Sequence, residues 1–128
     1  IVDSTSDTVT ENSSEGTDLI RSSVSYTASA NVENLNLTGS DNIDATGNVL
    51  NNILRGNSGN NTLTGGAGDD VLLGGNGDDT YSVDSISDIV KEKSSEGTDS
   101  IQSSVSFLTS KNVENLTLTG SDNIDATG

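Results

Sequence analysis

The chain has 128 residues, a net charge of −15 and 29% hydrophobic residues, with Tyr26, Tyr81 and Phe107 as its aromatic side chains. Ser, Thr and Asn supply 51 residues, and Cys, Met, Trp, His and Pro are absent. Such a chain cannot build an ordinary layered core, a disulfide framework, a thiolate metal site or a histidine-based centre. Its charge opposes nucleic acid and anionic membranes and favours cations.

Residues 1–47 are the first unit, and they return as 82–128 at an offset of 81, with 35 of 47 positions identical. Val24 and Tyr26, then Leu35 and Leu37, alternate with polar residues, and each run ends in Gly, Ser, Asp or Asn. That is the pattern of short half-buried strands. Asp18, in the segment EGTD, reads as a turn or loop residue in preference to a ligand, and Asp41 and Asp44 are read the same way. Because the chain begins and ends inside a repeat unit, it reads as an internal piece of a longer tandem array. The absence of a targeting segment carries no weight in a fragment.

A shorter period follows. Residues 47–55 (GNVLNNILR), 56–64 (GNSGNNTLT), 65–73 (GGAGDDVLL) and 74–82 (GGNGDDTYS) are successive ninths. Their eighth positions are Leu54, Leu63, Leu72 and Tyr81, followed by Val90; their sixth are Asn52, Asn61, Asp70 and Asp79, followed by Asp88. A polar glycine turn before three residues with a central apolar side chain predicts a turn and a very short strand, repeated. The division is therefore 1–47, 48–81 and 82–128, in one continuous solenoid.

In the second copy, 101–107 is predicted as a strand with Val105 and Phe107 on one face, and 113–119 as a strand carrying Leu116 and Leu118. Asp99, Asp122 and Asp125 take the same loop reading as their counterparts. No window has a helical apolar period, and no run of 18 apolar residues could span a bilayer.

The turns carry the chemistry. Calcium takes six to eight oxygen ligands. Glycine turns aim carbonyl oxygens at one point, and an Asp at the end of the turn adds charge. In a coil, two such turns stack roughly 4.8 Å apart, and an ion between them cancels the repulsion of stacked aspartates. Binding and folding then become one event, and the metal-free chain is expected to be disordered.

GGAGDDVLL followed by GGNGDDTYS resembles the GGxGxDxUx nonapeptide of the RTX (repeats-in-toxin, hemolysin-type) calcium-binding family. The segments around it (DTYSVD, EGTD, VENLTLTG) are similar to those that join such blocks in large RTX proteins. The resemblance implies an all-β fold, a parallel β-roll or β-solenoid with two nonapeptides per coil and Ca2+ between turns 18 residues apart. Turns 47–52, 65–70 and 83–88 would share one edge, and 56–61 and 74–79 the other. Asp70 and Asp79 would be ligands, with carbonyls from turns shaped by Gly65, Gly66, Gly68, Gly74, Gly75 and Gly77.

The departures leave alternatives. Asn57 replaces the second glycine of its turn, and Asn52 and Asn61 replace the acidic sixth residue. Turn 56–61 either binds an ion through Asn57, Gly59 and Asn61 or is held by hydrogen bonds between stacked amides. Asp84 and Asp88 either close a site beneath turn 65–70 or stand as solvated turn residues. Asp69 and Asp78 are expected to be solvated.

The function implied is an extracellular calcium-binding structural module of a large secreted or cell-surface protein, of the adhesin, surface-layer or fibre kind, exported by a type I route. Its partners would be calcium and neighbouring repeats, with end-to-end self-association through exposed strand edges. It is read as no enzyme. The carboxylate pairs Glu33 with Asp44 and Glu114 with Asp125 are set aside because a single-site enzyme has no need of tandem copies. The alternatives are a non-catalytic accessory module of a secreted enzyme or toxin, and a solenoid whose Thr and Asn rows bind carbohydrate or ice.

Overall fold

The computed structural model describes residues 1–128 apart from Ser14, Asp122 and Gly128. The strands are β1 (Leu19–Ser22), β2 (Tyr26–Thr27), β3 (Asn34–Leu37), β4 (Ala45–Thr46), β5 (Ile53–Arg55), β6 (Thr62–Thr64), β7 (Val71–Leu73), β8 (Thr80–Val83), β9 (Ile89–Lys91), β10 (Ser100–Ser103), β11 (Phe107–Leu108), β12 (Asn115–Leu118) and β13 (Ala126–Thr127). All pairings between them are parallel. There is no helix among the described residues, and hence none long and apolar enough to cross a membrane.

The odd strands β1-β3-β5-β7-β9 form one sheet, β12-β10-β8-β6-β4-β2 the other, and β11 pairs with β13. The chain is thus a β-solenoid, consistent with a β-roll. Successive coils in the nonapeptide block advance by 18 residues, as in Ile53 beside Val71 and Thr62 beside Thr80. The flanking coils advance by 15 residues (Leu19 to Asn34), 19 (Asn34 to Ile53) or 20 (Thr80 to Ser100). The strands keep register throughout, so the turns absorb the difference.

A two-sheet coil with three-residue strands has room for one inward side chain per strand. Ile20, Leu35, Leu54, Leu72 and Val90 form one inward file, and Ala45, Leu63, Tyr81 and Ile101 face them from the other sheet, all buried. This is how a chain poor in apolar residues acquires a core: each inward apolar side chain stacks on those of the neighbouring strands, one strand spacing away. The predicted inward positions of the nonapeptide phase are the observed ones.

One expectation needs correcting. Residues 101–107 are two strands and not one, broken by a bend at 104–105. Ser103 causes the break. It is fully buried, and its hydroxyl donates to the Val105 carbonyl (2.8 Å) while accepting from the Val105 N–H (3.3 Å). The local bond replaces the ladder and turns the chain. Ser22 and Val24 repeat the arrangement in the first copy.

The two copies do not superpose along one face. Segment 19–22 lies in the odd-strand sheet, whereas its counterpart 100–103 is β10, in the opposite sheet. β10 comes nine strands after β1, an odd step, so each 81-residue repeat advances the chain by a half-integral number of coils. Identical sequence therefore faces opposite sides in successive repeats.

Candidate metal centre

The turns stack as the resemblance implied. Turns 47–52, 65–70 and 83–88 connect an even strand to an odd one and lie on one edge; 56–61, 74–79 and 92–99 make the reverse connection on the other. Along each edge the sixth residues are joined by a ladder. The Asn52 N–H donates to Asp70 Oδ1 (2.7 Å), and the Asp70 N–H to Asp88 Oδ1 (2.9 Å). On the other edge the Asn61 N–H donates to Asp79 Oδ1 (2.7 Å), and the Asp79 N–H to Asp99 Oδ1 (2.9 Å).

The ladder satisfies only one oxygen of each central aspartate. Asp70 and Asp79 are almost wholly buried, and Oδ2 of each has no partner. A buried, unpaired carboxylate oxygen is costly. Burial pushes Asp70 up to about 6, with Asp88, Asp84 and Asp69 adding to it against the hydrogen bond from Asn52. Burial pushes Asp79 up to about 7, with Asp99, Asp78 and Glu96 adding to it against the bond from Asn61. Gly65 and Gly74 open the space beside these oxygens. A Cβ on Gly65 would overlap the Asp70 carboxylate, and one on Gly74 would overlap both Asp79 Oδ2 and the Tyr81 hydroxyl. Gly66, Gly68, Gly75 and Gly77 have positive φ, which their turn conformation requires. An oxygen-only donor set with unneutralised charge fits a hard divalent cation.

The asparagine turns behave differently. Asn52 Oδ1 accepts from the Asn48 N–H (2.7 Å), and its amide donates to the Val32 and Glu33 carbonyls of the preceding coil (3.0 and 3.2 Å). Asn61 Oδ1 accepts from the Asn57 N–H (2.8 Å), and its amide donates to the Ile43 carbonyl (2.7 Å) and Asn57 Oδ1 (3.0 Å). Asn57 in turn donates to the Asp41 carbonyl (2.9 Å). The expected bonds between stacked amides are therefore replaced mainly by amide-to-backbone bonds across the coil. An amide N–H occupies the place where a cation would otherwise gather carbonyl oxygens. Gly59 is buried against the backbone of residues 40 and 41 and shapes this turn.

Asp88 is buried and closes the first edge. Its Oδ2 accepts from the Asp84 and Ser85 N–H groups (3.2 and 3.1 Å), whereas the Asp84 side chain is exposed. Asp69 and Asp78 are exposed as expected, yet they also form an outer ladder. Asn51 Oδ1 accepts from the Asp69 N–H and Asn60 Oδ1 from the Asp78 N–H, both at 3.0 Å, and Asp78 Oδ1 accepts from the Thr98 N–H at 2.9 Å. Asp41, Asp44 and Asp125 are exposed; Asp122 lies outside the described residues.

Asp99 does lie in a turn, as read, but not a solvated one. It is buried and takes the sixth-residue place beneath Asp79, although 20 residues separate them. Glu92, which sequence reasoning missed, joins them. One carboxylate oxygen from each of Asp79, Glu92 and Asp99 lies within 4.8 Å of the others. Glu114 Oε2 accepts from the Asp99 N–H (2.8 Å), and Glu33 Oε2 from the Asp18 N–H (2.9 Å).

Residues 46–81 match the family model of the RTX calcium-binding nonapeptide repeat, in 4 copies. With the parallel solenoid, this supports an RTX-type calcium-binding repeat protein, and these repeats imply calcium binding. The degraded turn 47–52 and the asparagine turn 56–61 both fall within the matched residues. Comparison with curated proteins and with solved structures gave no match.

Proposed function

We propose that the chain is a non-catalytic, calcium-stiffened structural segment of a secreted or cell-surface repeat protein. The observation that carries this reading is the stacking of two near-identical units into one solenoid whose edges bury unneutralised carboxylates. Bound calcium would supply positive charge between the carboxylates of successive coils. Asp70 and Asp88 would hold it on one edge, with carbonyls of turn 65–70. In calcium-poor cytosol the chain would stay open for threading through a type I export channel, and extracellular calcium would order it. Neighbouring repeats would extend the same coil, and the open strand ends would favour end-to-end contact.

Calcium titration of the chelated chain, followed by far-UV circular dichroism, tests this. A coil-to-strand transition at or below about millimolar calcium is expected, as for extracellular calcium modules. It should be weakened in the Asp70→Ala, Asp79→Ala double variant and not reproduced by magnesium. A chain already fully strand-rich in chelator overturns the reading.

One observation favours a second reading, surface binding. On the even-strand sheet, Thr27, Thr46, Thr64 and Ser82 stand in register on successive strands and continue to Gln102 and Thr117, all outside the core. Thr62, Thr80, Ser100 and Asn115 form a parallel row. Regular hydroxyl rows one strand spacing apart suit a ligand that is itself a hydroxyl lattice, either a polysaccharide or ice. The calcium-loaded Thr46→Tyr, Thr64→Tyr variant should lose retention on polysaccharide or incorporation into ice while keeping its strand signal. No retention of the unaltered chain on either material removes this reading.

A further inference from the structure

We propose that Glu92 and the Tyr81 hydroxyl join Asp79 and Asp99 in a calcium site that clasps the joining segment onto the nonapeptide roll. This rests on the calcium reading above but reaches beyond the repeat itself. Glu92 and Asp99 fall outside the matched residues 46–81 and in a turn two residues longer than the 18-residue coil.

Three observations converge on it. Asp79, Tyr81 and Asp99 are each at most 1% exposed. Among the described residues, six buried side-chain atoms lack any partner, and four of them are here: Asp79 Oδ2, Tyr81 Oη and both oxygens of Glu92. The three carboxylates also lie within 4.8 Å of one another. Calcium–oxygen distances of about 2.3–2.6 Å allow oxygens on opposite sides of one ion to be that far apart. Three anions this close in a buried place repel strongly unless a cation lies among them.

Tyr81 is the odd member of its file. The neighbouring nonapeptide strands of the block place Leu54, Leu63 and Leu72 at this position. Tyr81 keeps the apolar body and adds an oxygen that reaches the edge beside Gly74, where Asp79 Oδ2 also lies. That places a neutral donor at the one turn where the nonapeptide pattern stops. The first copy carries the counterparts Glu11 and Asp18, and Asp18 Oδ2 is likewise buried and unpartnered. The odd strand count puts that pair on the opposite edge, so each repeat joint would place its clasp on alternate edges of the solenoid.

Terbium is the probe, because it substitutes for calcium and emits when a nearby tyrosine is excited. The metal-stripped chain and its Glu92→Gln, Tyr81→Phe and Asp70→Asn variants are titrated with terbium chloride. Tyrosine-sensitised emission is expected from the unaltered chain, falling about tenfold in Glu92→Gln at the same terbium concentration. It should fall to the level that Tyr26 alone sustains in Tyr81→Phe, persist in Asp70→Asn, and be displaced by calcium. Equal emission from Glu92→Gln and the unaltered chain overturns the clasp, as does loss in Asp70→Asn alone. Because a variant can fail to fold, hydrogen exchange of the unaltered chain gives an independent reading: amides 92–99 should exchange at least about tenfold more slowly with calcium. No change there overturns the proposal. A chain showing no calcium-induced strand formation by circular dichroism marks the failure of the underlying calcium reading instead.

Discussion

Asp70→Asn combined with Asp79→Asn is expected to produce a chain that is more stable than the unaltered protein in chelator and less responsive to calcium. The two aspartates carry the buried unpartnered carboxylate oxygens of the nonapeptide block. The chain itself shows the neutral solution one coil earlier. Asn52 and Asn61 hold the same position in the ladder, bury as deeply, and satisfy both ends of the amide with backbone groups. Removing each buried charge should raise metal-free stability by about 1 kcal/mol or more, and removing the ligand should raise the calcium midpoint more than about tenfold. Alanine at the same two positions behaves differently: it removes the charge but also the oxygens that accept the Asn52 and Asn61 N–H groups, leaving those buried donors bare. Denaturant unfolding of the three chains, with calcium and with chelator, measures the difference. If the asparagine chain is no more stable in chelator than the unaltered one, the unpaired oxygens are not what opposes the metal-free fold.

The contrast between these turns also explains what could be read from residues alone. The nonapeptide phase locates Leu54, Leu63, Leu72, Tyr81 and Val90 in the core and Asp70 and Asp79 on the edges, because one inward side chain per strand ties sequence period directly to coil geometry. Outside the phase that tie loosens. The coil from Thr80 to Ser100 is 20 residues and the next, from Ser100 to Asn115, is 15, so counting in nines cannot bring Asp99 beneath Asp79. Glu92 stands in a turn without the glycine signature, and nothing local marks it. One signal was available: the identical spacing of Glu11 to Asp18 and Glu92 to Asp99 in the two copies. The bend at Ser103 was hidden for another reason. IQSSVSF keeps Ile101, Val105 and Phe107 in one alternating phase that Ser103 interrupts without marking a turn, and only the buried hydroxyl bonding to Val105 shows that the chain turns there.

Acid should substitute for calcium over a defined window. Burial, with neighbouring carboxylates adding to it, pushes Asp70 up to about 6, Asp79 up to about 7 and Glu92 up to about 8. In the unfolded chain the same groups titrate near 3.8 for aspartate and 4.5 for glutamate. Between those limits the metal-free folded chain binds more protons than the unfolded one, so its stability rises as pH falls and is lost again as pH rises through the folded values. Each group contributes up to about 1.4 kcal/mol per pH unit within its own window. The chelated chain should therefore gain strand signal on going from pH 8 to pH 5, without any metal, the gain in stability starting near pH 8 and becoming steepest below about 6, where all three windows overlap. Protons and calcium compete for the same oxygens, so the calcium midpoint should rise over the same range. Glu92→Gln should remove the response between about 7 and 8, Asp79→Asn should lower the slope below about 7, and both should leave the contribution below about 6 that belongs to Asp70. Strand signal in chelator that falls, or does not change, on acidification would mean that repulsion among these buried carboxylates is not the force that calcium overcomes. Amide, proton and cation would then no longer be three equivalent ways of closing the same turn.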